Sequence, residues 1–149
     1  MDRYFVLFLL VLLFALGCSK TYYPEGKVSD RFTVSKEGII IDSTINLEWL
    51  PDPGKNMTRK AAINYAKNLV FAGHDDWRLP TQSELMSLQD NSQDTVYKIH
   101  PVFRLGGCCV WTSEHSGQIM WSFGLYPFED SWPHRALIGR LRVLVVRSR

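Results

Sequence analysis

Two adjacent acids and an arginine are the residues of this chain whose types and spacing come nearest to a catalytic pattern. Asp75 and Asp76 stand side by side, and Trp77 separates them from Arg78. Paired carboxylates do acid–base chemistry when their surroundings separate their pKa values, but the sequence fixes no third group beside this pair. A buried guanidinium needs several hydrogen-bond acceptors. We therefore predict that Asp76 or Glu84 anchors Arg78, and that the stretch, with Trp77 in the core, is structural.

Patterns for nucleophilic and metal chemistry are missing from the sequence. It contains no Gly-x-Ser-x-Gly elbow, and its histidines share no diagnostic spacing with any serine or cysteine. Cys108 and Cys109 are adjacent, and neighbouring cysteines can close only a strained ring. We interpret them as two small buried apolar residues that enter a strand, with a disulfide as the alternative. Because no second Cys pair or Cys/His pair stands at zinc-ligand spacing, we predict no metal, no cofactor and no enzymatic activity.

A helix is predicted before this stretch. Thr58 can cap its start, and Gly73, which can take the left-handed conformation, is expected to end it after about residue 72. Apolar residues recur between these two positions on a single stripe. The stripe consists of Ala62, Ile63, Ala66, Leu69 and Val70. We expect it to face the core.

A second helix is predicted to begin inside the stretch. Thr81 and Glu84 have the Thr-x-x-Glu spacing of a capping box, in which each side chain satisfies a free backbone N–H near the helix start. Pro80 favours an extended conformation just before it. The helix is expected over residues 82–89. Its buried residues are predicted to be Leu85 and Leu88.

Short strands are predicted on both sides of the helices. Residues 31–50 contain β-branched runs and alternating apolar residues, which indicates two or three strands. Asn46 tolerates a left-handed turn better than most residues, so a turn is expected there. Further strands are predicted over 109–113 and 120–126, and residues 136–147 are predicted to form a strand or a hairpin about Gly139. The pattern predicts one α+β domain in which two helices pack on a twisted, mostly antiparallel sheet.

The central stretch also resembles a known family. It matches the "DWRLPT-x-x-EL" signature of the Lcl C-terminal domain family at Asp76, Trp77, Arg78, Leu79, Pro80, Thr81, Glu84 and Leu85. The resemblance covers roughly residues 31–147 and implies a single compact C-type-lectin-like domain. The Glu-Pro-Asn and Gln-Pro-Asp calcium triplets of sugar-binding C-type lectins are missing, so a calcium lectin is not indicated.

The N-terminus forms a segment of its own. No charged residue occurs from Tyr4 to Gly17, a run too short for a spanning helix of about 20 residues and typical of a signal peptide. Small residues lead to Cys18 in a segment that resembles a bacterial lipobox, which implies lipidation of Cys18. The implied location is the cell envelope. In a diderm bacterium, Ser19 after the cysteine resembles the outer-membrane default.

Length and composition are those of one ordinary domain. The chain has 149 residues, of which 46 % are hydrophobic and 21 % charged, so a disordered protein is not indicated. We predict a signal peptide over 1–17, a lipidated tether over 18–30 and the domain over 31–149. The formal net charge of +2 is too small to favour nucleic acid as a partner.

Two surfaces are candidates for ligand binding. The first is a loop whose rings could stack on sugars and whose acids could accept hydrogen bonds from sugar hydroxyls. It contains Tyr126, Phe128, Trp132 and His134, with Glu129 and Asp130. The alternative is a loop held in place by its own aromatic rings.

The second surface is basic, and its guanidinium groups match sulfate and phosphate geometry. It contains Arg135, Arg140, Arg142, Arg147 and Arg149. On a regular strand, Arg140 and Arg142 would share one face and Arg147 the other. The alternative is a solvated rim.

These features lead to a functional hypothesis. We predict a non-enzymatic binding or adhesion module, anchored in the membrane by lipid, for sulfated or other polysaccharides such as glycosaminoglycan-like polyanions. The alternative is a structural envelope lipoprotein that contacts another envelope protein. An enzyme is the third and least favoured class. The collagen-like adhesins that give the family its name are implicated in glycosaminoglycan binding, but this chain lacks their collagen repeats.

Overall fold

The computed structural model of the protein describes residues 25–115, 120–122 and 140–149, with only the backbone at 120–122. The predicted signal peptide, Cys18 and the aromatic loop lie outside these residues, so those predictions remain predictions. Within the described ranges, no helix combines the length and the apolar character that crossing a membrane requires.

The centre of the domain is a five-stranded sheet. Its strands are β1 (Gly26–Lys27), β2 (Phe32–Val34), β3 (Ile40–Asp42), β4 (Leu47–Leu50) and β7 (Val145–Ser148). They lie in the order β1-β2-β3-β4-β7, and every neighbouring pair is antiparallel. A separate antiparallel pair is formed by β5 (Cys109–Trp111) and β6 (Met120–Ser122). The sheet therefore begins inside the segment that the sequence assigned to the tether.

The turn between β3 and β4 has the conformation that the sequence predicted. Asn46 has a φ of 55°, which lies in the left-handed region that asparagine tolerates. At the start of the turn, the buried Asp42 carboxylate accepts hydrogen bonds from the Thr44 backbone N–H at 3.1 Å and from the Arg31 guanidinium at 2.9 and 2.6 Å. The turn sets the register of β3 against β4, and the ion pair joins β3 to the residue that precedes β2.

The first helix, α1, spans Arg59–Asn68 and is shorter than predicted. Thr58 caps it as expected, accepting a hydrogen bond from the Ala61 backbone N–H at 3.2 Å. The prediction that it reaches residue 72 and ends at Gly73 is wrong. Gly73 does take a positive φ of 81°, but Ala72 does too, at 51°. Positive φ at two successive residues makes a hairpin-type turn, so Gly73 serves a turn that follows the helix.

A second difference concerns the predicted apolar stripe of α1. Ala62 and Ala66 are buried as predicted, whereas Ile63 is 39 % exposed and Val70 is 70 % exposed. Val70 lies beyond the last helical residue, so the helical period no longer decides its direction. The predicted apolar stripe is therefore correct for its alanines and wrong for Ile63 and Val70.

The second helix, α2, spans Gln82–Ser87, and the two helices cover opposite faces of the sheet. Adjacent strand residues point to opposite sides. Val146 belongs to a hydrophobic cluster that contains Leu85 of α2, while Val145 belongs to another that contains Ala62 of α1. Both faces of the sheet are thus buried where β4 pairs with β7. The predicted α+β architecture with two helices on an antiparallel sheet is confirmed.

Candidate functional site

The side chains of residues 76–85 have structural roles. Trp77 is 3 % exposed, as the sequence predicted, and its ring packs edge-on against Phe71 with centroids 6.5 Å apart. Leu79 is buried in the same hydrophobic cluster as Trp77, and Leu85 is buried in the cluster on the other face of the sheet. Among the described residues, no group accepts a hydrogen bond from the buried indole N–H of Trp77.

Glu84 is the partner of Arg78. Two hydrogen bonds of 2.8 and 2.6 Å join the guanidinium to the Glu84 carboxylate. The same carboxylate accepts the Thr81 backbone N–H at 2.8 Å, and the Thr81 hydroxyl accepts the Glu84 backbone N–H at 3.2 Å. The predicted capping box is confirmed. Of the two acids proposed as anchors for Arg78, the structure selects Glu84.

Asp76 pairs instead with the last strand. The Nε of Arg147 donates to Asp76 at 2.7 Å, and its Nη1 donates to Glu48 at 2.5 Å. The Arg147 hydrogen bond lowers the pKa of Asp76, so this carboxylate stays charged. Arg78 and Val146 also exchange two backbone hydrogen bonds of 2.9 Å. The segment around Arg78 thus closes the free edge of β7, which is an architectural role.

The C-terminal arginines do not form one free cationic surface. Arg147 is engaged as described above. Arg142 lies 3.4 Å from Asp52, whose side chain is fully buried, and donates to the Gly106 carbonyl at 2.9 Å. Arg149 lies 3.9 Å from Glu48. Arg140 is exposed, while Arg135 lies outside the described residues. Of the two arginines favoured as ligand contacts, Arg142 is therefore committed to the fold.

Tyr126, Phe128 and Trp132 lie outside the described residues, as do His134 and the acids beside them. Their proposed role in stacking on sugar rings stays a prediction.

A cleft of about 420 Å³ opens between the turn before β3, the loop after β4 and the end of α1. We call it the Tyr65 cleft. Its apolar lining consists of Leu50, Pro51, Pro53, Tyr65, Leu69 and Phe71, and its charged lining consists of Glu37, Asp52 and Arg104. Phe71 contacts both the cleft and Trp77, so the packing of the family motif supports one wall of the cleft.

The polar groups of the Tyr65 cleft have fixed protonation states at neutral pH. Burial raises the pKa of Tyr65, and the negative charge of Asp52 raises it further, so the phenol remains a hydrogen-bond donor. Hydrogen bonds from its own backbone N–H and from the Ser35 hydroxyl lower the pKa of Glu37, which remains a carboxylate acceptor. An apolar floor with a few fixed polar groups is the usual composition of a small-molecule site.

Asp52 is the structural acid of the cleft. Its Oδ1 accepts the Gly54 backbone N–H at 2.9 Å, and its Oδ2 accepts the Gly106 backbone N–H at 3.1 Å. With Arg142 beside it, this carboxylate joins the loop 51–54 to the segment before β5. Asp52 therefore shapes the cleft, which leaves Glu37 as the acid at its rim.

Cys108 and Cys109 form a disulfide with each other. Our interpretation of them as two separate apolar residues is wrong, although Cys109 is 6 % exposed and does enter β5 as expected. Cys109 is buried in the second hydrophobic cluster, and the partly buried Cys108 packs against it. In residues 25–115 and 140–149, no three His, Cys, Asp or Glu side chains converge as a metal-binding group.

Sequence reasoning missed the Tyr65 cleft. Its residues come from four separate segments, and none of them forms a local motif. The signals that could have raised the question were weak: two prolines around Asp52 and a tyrosine at the edge of the α1 stripe. Only the pairing of β4 with its neighbours brings these segments together.

Comparison with known proteins yields one match. The family model of the Lcl C-terminal domain matches residues 38–147. No curated protein matches the chain, and no solved structure matches it. The C-type-lectin-like likeness therefore stays a prediction from the sequence resemblance.

Proposed function

The chain belongs to the Lcl C-terminal domain family, and on that premise we propose that it is a cell-envelope lipoprotein whose domain binds a polysaccharide without catalysis. The anchor in this proposal is the lipidated Cys18. The observation that carries the binding role is the Tyr65 cleft, whose lining holds the Phe71 ring, the protonated Tyr65 phenol and the Glu37 carboxylate.

The chemistry of the cleft suits a sugar ring. Sugars present apolar C–H faces that pack on aromatic rings, and hydroxyls that both donate and accept hydrogen bonds. In the proposed complex, Phe71 or Tyr65 packs against a ring face, the Tyr65 hydroxyl donates, and Glu37 accepts. A cleft of about 420 Å³ holds a few sugar units at most, so affinity for a long polymer would come from repeated weak contacts.

The charges of the cleft offer no surplus of cations to a heavily sulfated sugar. The Glu37 carboxylate offsets the Arg104 guanidinium in the cleft lining, and Arg142, the arginine proposed earlier for sulfate, already neutralises Asp52. A sulfated polymer is therefore the second choice within this proposal. Its contact would be the exposed Arg140 or the residues outside the described ranges.

A glycan array tests the proposal. The mature chain with Cys18 changed to Ser, so that it carries no lipid, would be applied to neutral, amino and sulfated glycans. We expect retention on neutral or amino glycans that falls about tenfold, or about 1.4 kcal/mol, in Tyr65→Ala. The matched control is Ile63→Ala, which lies on the same helix, is 39 % exposed and does not line the cleft.

Each other outcome has a defined meaning. Equal loss in Tyr65→Ala and Ile63→Ala would show that the cleft is not the site. Binding to sulfated glycans alone, unaffected by Tyr65→Ala, would transfer the site to the basic surface. No binding to any glycan would remove the proposal and favour the structural lipoprotein that contacts another protein.

A further inference from the structure

The backbone segment that leads into the disulfide lies against the Arg142 side chain. A Cβ added to Gly106 would lie 2.5 Å from Nη2 of Arg142, and one added to Gly107 would lie 3.2 Å from its Cγ and Nε. The Arg142 backbone N–H donates to the Cys109 carbonyl at 2.9 Å. Arg142 is thus in direct contact with the backbone on both sides of Cys108, and a change in that backbone must move it.

Arg142 also contacts the Tyr65 cleft, through Asp52. It lies 3.4 Å from Asp52, and Asp52 accepts the backbone N–H groups of Gly54 and Gly106 at 2.9 and 3.1 Å. The Asp52 side chain is fully buried, so loss of a partner is costly and the loop rearranges instead. The disulfide and the cleft rim are therefore linked by an unbroken chain of contacts.

Stabilisation of the fold does not account for this disulfide. Cross-links stabilise a fold mainly by restricting the unfolded chain, and that effect grows with the length of the closed loop. The loop here is the shortest possible, because the two cysteines are adjacent. Adjacent cysteines also close only a small, strained ring, and such strain favours reduction. A bond that restricts little and breaks readily is better suited to exchange.

We propose that Cys108–Cys109 is a thiol–disulfide exchange site for small dithiols, and that its oxidation state sets the order of loop 51–54 at the Tyr65 cleft. The exchange chemistry stands apart from the proposed function; only the use of the switch, to regulate ligand binding, rests on that function. The predicted envelope location would place the site where disulfides persist.

The reaction is a two-electron exchange. A thiolate of the dithiol attacks Sγ of Cys108, the more exposed of the two cysteines. The S–S bond breaks, and Cys109 leaves as a thiolate that takes up a proton. The second thiol of the reagent then attacks its own sulfur in the mixed disulfide and releases Cys108. The protein gains two thiols and the reagent becomes a cyclic disulfide.

Hydrogen exchange on the full mature chain, with dithiothreitol as the probe dithiol, tests the proposal without any sugar ligand. The chain would carry Cys18→Ser to prevent lipidation. We expect no free thiol in air and two after reduction. We also expect the backbone amides of Gly54 and Gly106 to exchange at least tenfold faster after reduction. Core amides such as Trp49 should keep their rates. Failure of the glycan array would leave this result unaffected, so the two proposals fail separately.

Two variants separate the role of the disulfide from the role of Arg142. Cys108→Ser should give fast exchange at Gly54 that dithiothreitol no longer changes. Arg142→Lys should give the same fast exchange while the disulfide still forms, and the exposed Arg140→Lys is its matched control. Free thiols in air, unchanged rates at Gly54 and Gly106, or equal acceleration of the core amides would each overturn the proposal. Equal acceleration of the core amides would show that the disulfide stabilises the whole fold.

Discussion

Arg78 and Glu84 are joined by two hydrogen bonds, and the carboxylate that receives them also completes the N-cap of its own helix. One acid therefore fixes both the start of α2 and the segment that pairs with β7. A bidentate guanidinium–carboxylate contact is stronger and more directional than a single ion pair. This arrangement gives Arg78 and Glu84 a structural role.

The first prediction concerns this pair. Glu84→Ala removes the partner of Arg78 and half of the capping box, so we expect a loss of about 1–3 kcal/mol in the free energy of unfolding. Glu84→Gln keeps a capping side chain and should cost less. Urea unfolding measures both. If Glu84→Ala unfolds at the same urea concentration as the parent, the pair contributes nothing to stability.

The second prediction is the pH dependence of the same site. Burial raises the pKa of Glu84, but hydrogen bonds from Arg78 and the Thr81 backbone outweigh it and lower the pKa below its ordinary 4.5. A lowered folded-state pKa gives stability that is fully present above the ordinary value and is lost as the pH falls through the folded value. The stability gap between parent and Glu84→Gln should therefore hold from neutral pH to about pH 5 and close in more acidic solution. A gap that widens with acid would contradict this assignment.

The third prediction concerns Trp77. Because its side chain is 3 % exposed, Trp77→Ala should cost about 3–5 kcal/mol through the cavity it leaves. Trp77→Phe should cost less than half as much, since it keeps an aromatic ring and removes an indole N–H that has no acceptor among the described residues. Thermal melting of the two variants measures the difference. A Trp77→Ala protein that melts like the parent but loses its ligand would make the motif a binding site.

The fourth prediction separates two arginines that the sequence grouped together. Arg142→Ala leaves the buried Asp52 without its cation and should cost about 3 kcal/mol, while Arg140→Ala should change stability by less than about 0.5 kcal/mol. On heparin, any retention through Arg140 should be weak and should vanish at moderate salt, because exposed charges are screened over about 8 Å at physiological ionic strength. Retention that persists in high salt would point to stacking in the aromatic loop instead.

The fifth prediction is lipid attachment at Cys18. Cells that express the parent chain and take up a tagged fatty acid should label it, and Cys18→Ser should not be labelled, because the thiol is the proposed attachment point. Two acyl chains hold a protein stably on a membrane, whereas one does so only reversibly. Equal labelling of the two proteins would reject the lipoprotein proposal.

The sequence was most informative where structure depends on neighbouring residues. The capping box at Thr81, the cap at Thr58 and the left-handed Asn46 all follow from side chains that act within a few positions, and all three are confirmed. The burial of Trp77 was predictable from its apolar surroundings. These features need no knowledge of the rest of the chain.

The sequence was least informative where distant segments meet. The positive φ of Gly73 was expected, yet whether it ends a helix or makes a turn depends on what Phe71 packs against. Arg142 is indistinguishable from Arg140 until Asp52, far away in the chain, is placed beside it. The Tyr65 cleft and the disulfide belong to the same class, because tertiary contacts decide both.

The pairing of β4 with β7 also sets the order in which the protein can fold. Glu48 and Arg147, which face each other across these strands, are 99 residues apart in the chain. Contacts between such distant residues form late and slow the folding rate. Until β7 arrives, β4 has an unpaired edge that can accept a strand from another copy. Pairing of β7 with β4 therefore ends the period in which this edge can recruit a strand from another copy.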